Sequence, residues 1–229
     1  MASAATTDSS LSSKYQKMTD LEHILKKPDT YIGSIQLTEC TEYTALINSG
    51  ISEAAETSIG LATFTHIPAL YKLVDEGLVN MRDHVIRQAQ AIKDGKPNSL
   101  PVTSIEVEVD AATGTITMTN DGNGIDIAQH PEHKMWIPEM IFGHLRTSTN
   151  YAEDKKEKIV GGKNGFGFKL VLVWSTWGSV ETVDHVRGLK YVQEFKTNLT
   201  EICAPKITKC SAAANKKPYT RISFRPDYA

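Results

Sequence analysis

Two glycine-rich turns and an acidic helix upstream of them hold the residue types in this chain that could act on a nucleotide. The first turn is NDGNGI, opening at Asn120, and the second is GGKNGFGFKL, opening at Gly161. Gly122 and Gly124 bracket one residue directly after a strand-like run, so the backbone can turn tightly and a flat ring can approach closely. Asn120, at the end of that run, can accept a hydrogen bond from an exocyclic amine through its side-chain carbonyl. In the second turn four glycines precede an apolar helix whose free amides and positive end suit phosphate oxygens, and Lys163 and Lys169 add charge. Neither turn is specific alone, since a hairpin turn explains the first and a surface loop the second. No GxxxxGK[ST] is present and no dinucleotide fingerprint follows a strand, so neither a P-loop nor a Rossmann site is indicated.

The upstream segment LYKLVDEGLVN, from Leu70, belongs to a longer helical pattern. Leu70, Val74, Gly77, Leu78, Met81, Val85 and Ile92 recur at helical spacing from Pro68 until Asp94-Gly95 ends the run. Lys72, Glu76, Asn80, Asp83 and Arg87 share the opposite face. As a solvated face it would be laced by Lys72 with Glu76 and Asp83 with Arg87, each pair contributing only ~0.3 to 0.5 kcal/mol. The company of the two glycine turns favours a site instead.

The remaining elements must position these groups. Residues 1–13 are rich in Ala, Ser and Thr and read as a disordered tail. Thr19 and Glu22 have capping-box spacing ahead of a short helix that stops near Lys27, because Pro28 follows. Residues 37–65 show only weak strand runs at Tyr43 to Ile47 and Ile59 to Phe64. VTSIEVEV and TITMT alternate on either side of DAATG and predict a hairpin. Helices are expected at Pro138 to Leu145 and Gly165 to Trp174, around a charged loop at Ala152 to Lys158. Strands are expected at Gly178 to Val183, Lys190 to Thr197 and Tyr219 to Phe224. The sum is an α+β fold, a mixed, mostly antiparallel sheet with helices on one face.

Composition narrows the partners. A chain of 229 residues with 40% hydrophobic and 23% charged residues is an ordinary globular composition, and a net charge of −2 gives no global attraction to a polyanion. The basic segment from Ile202 to Pro226 reads as a solvated loop and strand face. Cys40, Cys203 and Cys210 have no metal-ligand spacing and point to a reducing compartment. No apolar run approaches the ~18 residues of a membrane span, so no membrane partner is expected.

In order and spacing, YQKMTDLEHILKKPDTYIGS, LYKLVDEGLVN, NDGNGI, WIPEMIFGHLRTSTNY, GGKNGFGFKL and YTRISFRPD resemble the N-terminal ATPase domain of eukaryotic-type (type IIA) DNA topoisomerase II. That domain belongs to the superfamily of gyrase, Hsp90, MutL and histidine kinases. The resemblance runs from Tyr15 to Tyr228. It implies the Bergerat-type ATP-binding sandwich, with residues 14–36 as a dimerisation arm and 37–229 as the ATP-binding domain. Glu76 would be the general base, and Asn80 would hold Mg²⁺ beside the ATP phosphates. Asn120 would read the adenine amine, helped by Thr220, the threonine that opens the last strand, with Gly122 and Gly124 in the turn that follows Asn120. Ser148, Thr149 and Asn150 would bind ribose and phosphate. Lys163, Asn164, Gly165, Phe166 and Gly167 would wrap the triphosphate, with Lys169 nearby. Tyr31 would reach the nucleotide of the partner subunit in a homodimer that closes on ATP.

The resemblance further implies an N-gate that couples ATP-driven closure to double-stranded DNA passage. The location would be the nucleus in a cell, or a cytoplasmic replication site or virion for a large DNA virus. The transducer and DNA-cleavage core are expected beyond residue 229, which would leave this chain slow in turnover and unable to cleave DNA. Gly77, the Met81 to His84 run, Lys163 and Phe168 depart from the family pattern. Gly77 costs ~1 kcal/mol inside a helix unless close packing requires it. Lys163 lacks the planar fork of an arginine. His84 stands where a second asparagine contact would be, and Phe168 suggests a repacked lid. Two alternatives stay open on these substitutions: a noncatalytic ATP-dependent interaction module, and an Hsp90-like or MutL-like ATPase.

Overall fold

The alternating runs become one seven-stranded sheet in the computed structural model, which describes residues 17–47, 57–145 and 167–228. In chain order the elements are α1 (Asp20–Lys26), α2 (Pro28–Tyr31), β1 (Thr38–Ile47), β2 (Thr57–His66), α3 (Pro68–Lys93), β3 (Ile105–Asp110), β4 (Thr115–Asp121), α4 (Ile137–Gly143), α5 (Gly167–Val173), β5 (Ser175–Asp184), β6 (Leu189–Lys196), β7 (Glu201–Ile202), β8 (Lys206–Lys209), α6 (Ala212–Lys216) and β9 (Tyr219–Pro226). The strand order is β3-β4-β9-β5-β6-β7, with β8 also on β6, and β1 pairs with β2 in a separate ribbon. Every pairing among the described residues is antiparallel.

One face of the large sheet is apolar by register. Ile116, Met118 and Asn120 on β4 lie opposite Phe224, Ile222 and Thr220 on β9, which lie opposite Gly178, Val180 and Thr182 on β5. Ile116, Met118, Val180 and Phe224 are in the core, so the polar ends of these rows face the same side as the helices. Helix α5 packs against both the sheet and α3, and its residues 168–173 are each 8% exposed or less. A helix with no solvated face belongs at the centre of the layer packing. At the amino end Thr19 closes the expected capping box with Glu22, accepting from the Glu22 amide while its own amide donates back to the carboxylate. Ile24 of α1 and Ile32, after α2, reach the same core.

Helix α3 explains two of the unusual residues together. A Cβ on Gly77 would lie 2.1 Å from Met118 Sδ and 3.4 Å from Phe168 Cε2. Phe168 stands edge-on to Phe142 and Phe224, with centroids 5.7 and 6.0 Å apart. The glycine is therefore the counterpart of the bulky Phe168 and Met118. Phe168 is a core residue of α5, so the repacked lid expected there is corrected to a repacked core.

The differences from the expected elements have local causes. Strands β1 and β2 run longer than their weak pattern, because the ribbon face that carries Tyr43 and Ile59 is solvated, at 77% and 81% exposed, and apolar residues there set no alternation. Strands β7 and β8 and helix α6 are two to five residues each, too short to carry a period.

Candidate functional site

Glu76 and Asn80 stand one turn apart on α3. Glu76 Oε1 is 2.9 Å from Lys72 Nζ, which also lies 3.1 Å from Asp75. These carboxylates, Glu76 above all, hold the Lys72 pKa above its usual value. The ion pair expected of a solvated face is thus present, but it occupies one oxygen only. A Cβ placed on Gly167, the first residue of α5, would lie 3.4 Å from Glu76 Oε2 and 3.9 Å from Asn80 Nδ2. Asn80 Nδ2 donates to the Glu76 carbonyl at 2.6 Å, which leaves Oδ1 as the amide's free pole. The end of the second glycine turn and both polar residues of the helix therefore meet.

Farther along α3 the polar stripe turns inward. Asp83 is 2% exposed and lies 3.6 Å from Arg82, and among the described residues it makes no ion pair with Arg87, so the expected solvated Asp83–Arg87 pair is corrected. His84 faces the backbone of Asn123 and the Asp121 carboxylate. Burial, followed by the Arg87 charge, holds its pKa below the usual histidine value. Its Nε2 is buried without a hydrogen-bond partner among the described residues. Lys169 is 4% exposed on α5, and burial pushes its pKa down to about 8.

The first glycine turn is fixed on the sheet. Asn120 is 7% exposed, donates Nδ2 to the Asp121 carbonyl at 2.9 Å, and lies in register with Thr220. The Asp121 carboxylate accepts from the amides of Thr103 and Ser104 at 2.7 and 2.8 Å. Burial would raise its pKa, but these bonds and the Thr103 hydroxyl hold it below the usual value. Gly122 has φ +90°, the left-handed region a side chain resists. Gly124 meets strand β5: a Cβ there would lie 2.0 Å from the Val183 carbonyl oxygen and 2.9 Å from Thr182 Oγ1. The close approach at Gly124 is thus made to protein backbone. Because α3 touches Met118, two residues before Asn120 on the same strand face, and His84 faces Asn123, the helix and the turn border one region.

Sequence reasoning missed two residues of this region. Thr182, fully buried, accepts from the Ile125 amide at 3.0 Å and bonds Thr220 at 3.0 Å. Asp184 anchors the far side of the turn by accepting from the Ile127 amide at 2.9 Å and from Arg187 Nη1 at 2.7 Å. The strand expected from the sequence, Gly178 to Val183, takes in Thr182 and stops one residue before Asp184, with no signal that either reaches the turn. Tyr31 lies with its hydroxyl 2.9 Å from His23 Nδ1. Ser148, Thr149, Asn150, Lys163, Asn164, Gly165 and Phe166 lie outside the described residues. Among the described residues no three His, Cys, Asp or Glu side chains converge as a metal cage.

The sequence pattern of the histidine kinase-, DNA gyrase B- and HSP90-like ATPases matches residues 65–226, which takes in α3, the first glycine turn and all seven strands of the large sheet. The chain belongs to this family. Within it, DNA topoisomerase 2 of Acanthamoeba polyphaga mimivirus is 42% identical over 219 residues, covering 96% of this chain and 16% of that protein. DNA topoisomerase 2 of Saccharomyces cerevisiae is 40% identical over 218 residues, covering 95% of this chain and 14% of that protein. The crystal structure of the ATPase region of the Saccharomyces cerevisiae topoisomerase II superposes with a TM-score of 0.78 at 40% identity, covering 94% of this chain and 51% of that one. The 43K ATPase domain of Thermus thermophilus gyrase B shares the fold, with a TM-score of 0.55 at 20% identity over 90% of this chain and 39% of that one. The α+β sandwich is thus the ATPase fold of topoisomerase II and gyrase B, and the chain spans about half of the solved ATPase region and a small part of its curated relatives.

Proposed function

We propose that this chain binds and hydrolyses Mg·ATP as the N-gate of a type II DNA topoisomerase. The observation that carries the reading is the meeting of Glu76 Oε2 and Asn80 with Gly167, where the glycine turn enters α5. Glu76, with its other oxygen held by Lys72, orients a water and takes its proton as the water attacks the terminal phosphate. Asn80 fits a divalent ion: its Nδ2 is committed to the helix carbonyl, so Oδ1 is the available oxygen. Mg²⁺ with few protein ligands keeps its waters and takes phosphate oxygens, which suits a site without a carboxylate cage, and it would neutralise phosphate charge there. Asn120 and Thr220 receive the adenine amine, beside Gly122 and Gly124. Ser148, Thr149 and Asn150 contact ribose and phosphate, and Lys163, Asn164, Gly165, Phe166 and Gly167 wrap the triphosphate. Lys169, on α5, stands near the triphosphate. Tyr31 reaches the nucleotide of a partner copy, so that ATP closes a homodimer around the DNA to be passed. The site of action follows that DNA, in a nucleus or a viral replication compartment.

Calorimetric titration of the chain with Mg·ATP tests the binding half. Saturable binding that weakens when EDTA removes Mg²⁺, with this Mg²⁺ dependence lost in Asn80→Ala, is the expected result. Binding indifferent to Mg²⁺ in the wild type would refute the role given to Asn80.

A further inference from the structure

We infer that Thr182 is a positioning residue that fixes which way the Thr220 hydroxyl points and so selects a 6-amino over a 6-oxo purine nucleotide. The inference rests on the nucleotide-binding reading of the Asn120 and Thr220 row, and it concerns a residue which that reading does not use. Thr182 is fully buried, so its hydroxyl, with one hydrogen and two lone pairs, must be satisfied by protein. Three groups surround it. The Ile125 amide donates to it at 3.0 Å, the Tyr219 carbonyl lies 3.1 Å away, and Thr220 Oγ1 lies 3.0 Å away. A carbonyl can only accept, so the Thr182 hydrogen goes to Tyr219. One lone pair is taken by the Ile125 amide, and the second is left for the Thr220 hydrogen. With its hydrogen directed at Thr182, half-buried Thr220 offers a ligand lone pairs only.

Asn120, the register neighbour of Thr220, is polarised the same way. Its Nδ2 donates to the Asp121 carbonyl, which turns Oδ1 into the pole open to a ligand. Two adjacent acceptors suit an exocyclic amine, which brings two hydrogens. A 6-oxo purine instead brings an acceptor to the same place and leaves lone pairs facing lone pairs. The strain-free way to relieve that repulsion is to rotate the Thr220 hydroxyl, and the saturated Thr182 hydroxyl opposes it. Gly124 belongs to the same device, because a Cβ there would come within 2.9 Å of Thr182 Oγ1.

The test is the ratio of affinities for ATP and ITP, which differ in the 6-substituent, measured by titration of the 229-residue chain. Wild type is expected to prefer ATP by ~10- to 100-fold, the range set by one unpaired buried polar group. Thr182→Val keeps the shape, frees the Thr220 hydrogen and lowers the ratio by about tenfold or to parity. Thr182→Ser keeps the hydroxyl and keeps the ratio. If valine prevents folding, Thr182→Ala is the second variant, with the same expectation as valine. A purely structural role would weaken both nucleotides alike and leave the ratio unchanged, and that result overturns the inference while leaving nucleotide binding intact. A wild-type chain that binds neither nucleotide overturns the binding reading itself and this inference with it.

Discussion

Replacing Gly124 with alanine should be among the most damaging single-methyl changes in the site, and the structure says by how much. The added Cβ would lie 2.0 Å from the Val183 carbonyl oxygen and 2.7 Å from the carbonyl carbon. Comfortable C···O contact begins near ~3.3 Å, so the turn and strand β5 must part by more than ~1 Å. Strand β5 cannot yield, because it is paired on one side to β6 and on the other to β9. The turn must lift instead, which breaks the bond from the Ile125 amide to Thr182. Overpacking costs ~1 to 3 kcal/mol and the lost bond with its buried unsatisfied partner ~1 to 2 kcal/mol, for a total of about 2 to 5 kcal/mol. Gly77→Ala is the control. Its nearest obstacles, Met118 Sδ and Cε at 2.1 and 2.9 Å, are the end of a flexible side chain. Alanine also returns ~1 kcal/mol of helix propensity, for a net loss of about 0 to 2 kcal/mol. Urea unfolding with unchanged m-values measures both. A Gly124→Ala loss below ~1 kcal/mol, or a larger loss for Gly77→Ala, would refute the argument that backbone rather than side chain fills the space beside the turn.

Three further outcomes follow from buried charge. Burial pushes the Lys169 pKa down to about 8 when folded against 10.5 when unfolded, so between those values the unfolded chain binds more protons and stability rises with pH. Lys169→Met should remove that rise in chemical unfolding curves, and an unchanged slope would count against the buried ammonium. His84, whose folded pKa is held below 6.5, is bound by protons more readily in the unfolded chain, so stability is lost as pH falls through 6.5, and His84→Asn should flatten this limb of the pH profile. Asp184 accepts from the Ile127 amide and from Arg187, which outweigh its burial and keep its pKa below 3.8. Asp184→Asn should therefore cost ~2 to 3 kcal/mol at neutral pH and weaken the loss of stability on acidification below that value, both read from thermal unfolding across pH.

The elements with a strong period were legible in the sequence. Pro68 and Asp94-Gly95 bounded α3 to within a residue or two, Thr19 and Glu22 capped α1, and DAATG separated β3 from β4. That Asn120 and Thr220, a hundred residues apart, serve one site was accessible only through the family resemblance, and their pairing was not legible, because register between distant strands leaves no local mark. Thr182 was not legible at all. Its partners come from β9 and from the turn, and a threonine in an alternating strand has no feature that sets it apart. Asp83 misled for a related reason: helical spacing assigns a face but not how far the protein reaches around it. The two substitutions that looked independent, Gly77 and Phe168, proved to be one packing solution that becomes visible only when α3 lies on α5.

If Glu76 activates water on a bound Mg·ATP, Glu76→Gln must separate binding from hydrolysis under single-turnover conditions. The glutamine keeps the shape and the hydrogen-bonding reach but cannot take a proton. Binding of Mg·ATP should stay within a few-fold of wild type while hydrolysis falls by ~100-fold or more. Equal hydrolysis by the two proteins, with equal binding, would contradict the claim and leave this chain as a noncatalytic ATP-dependent module.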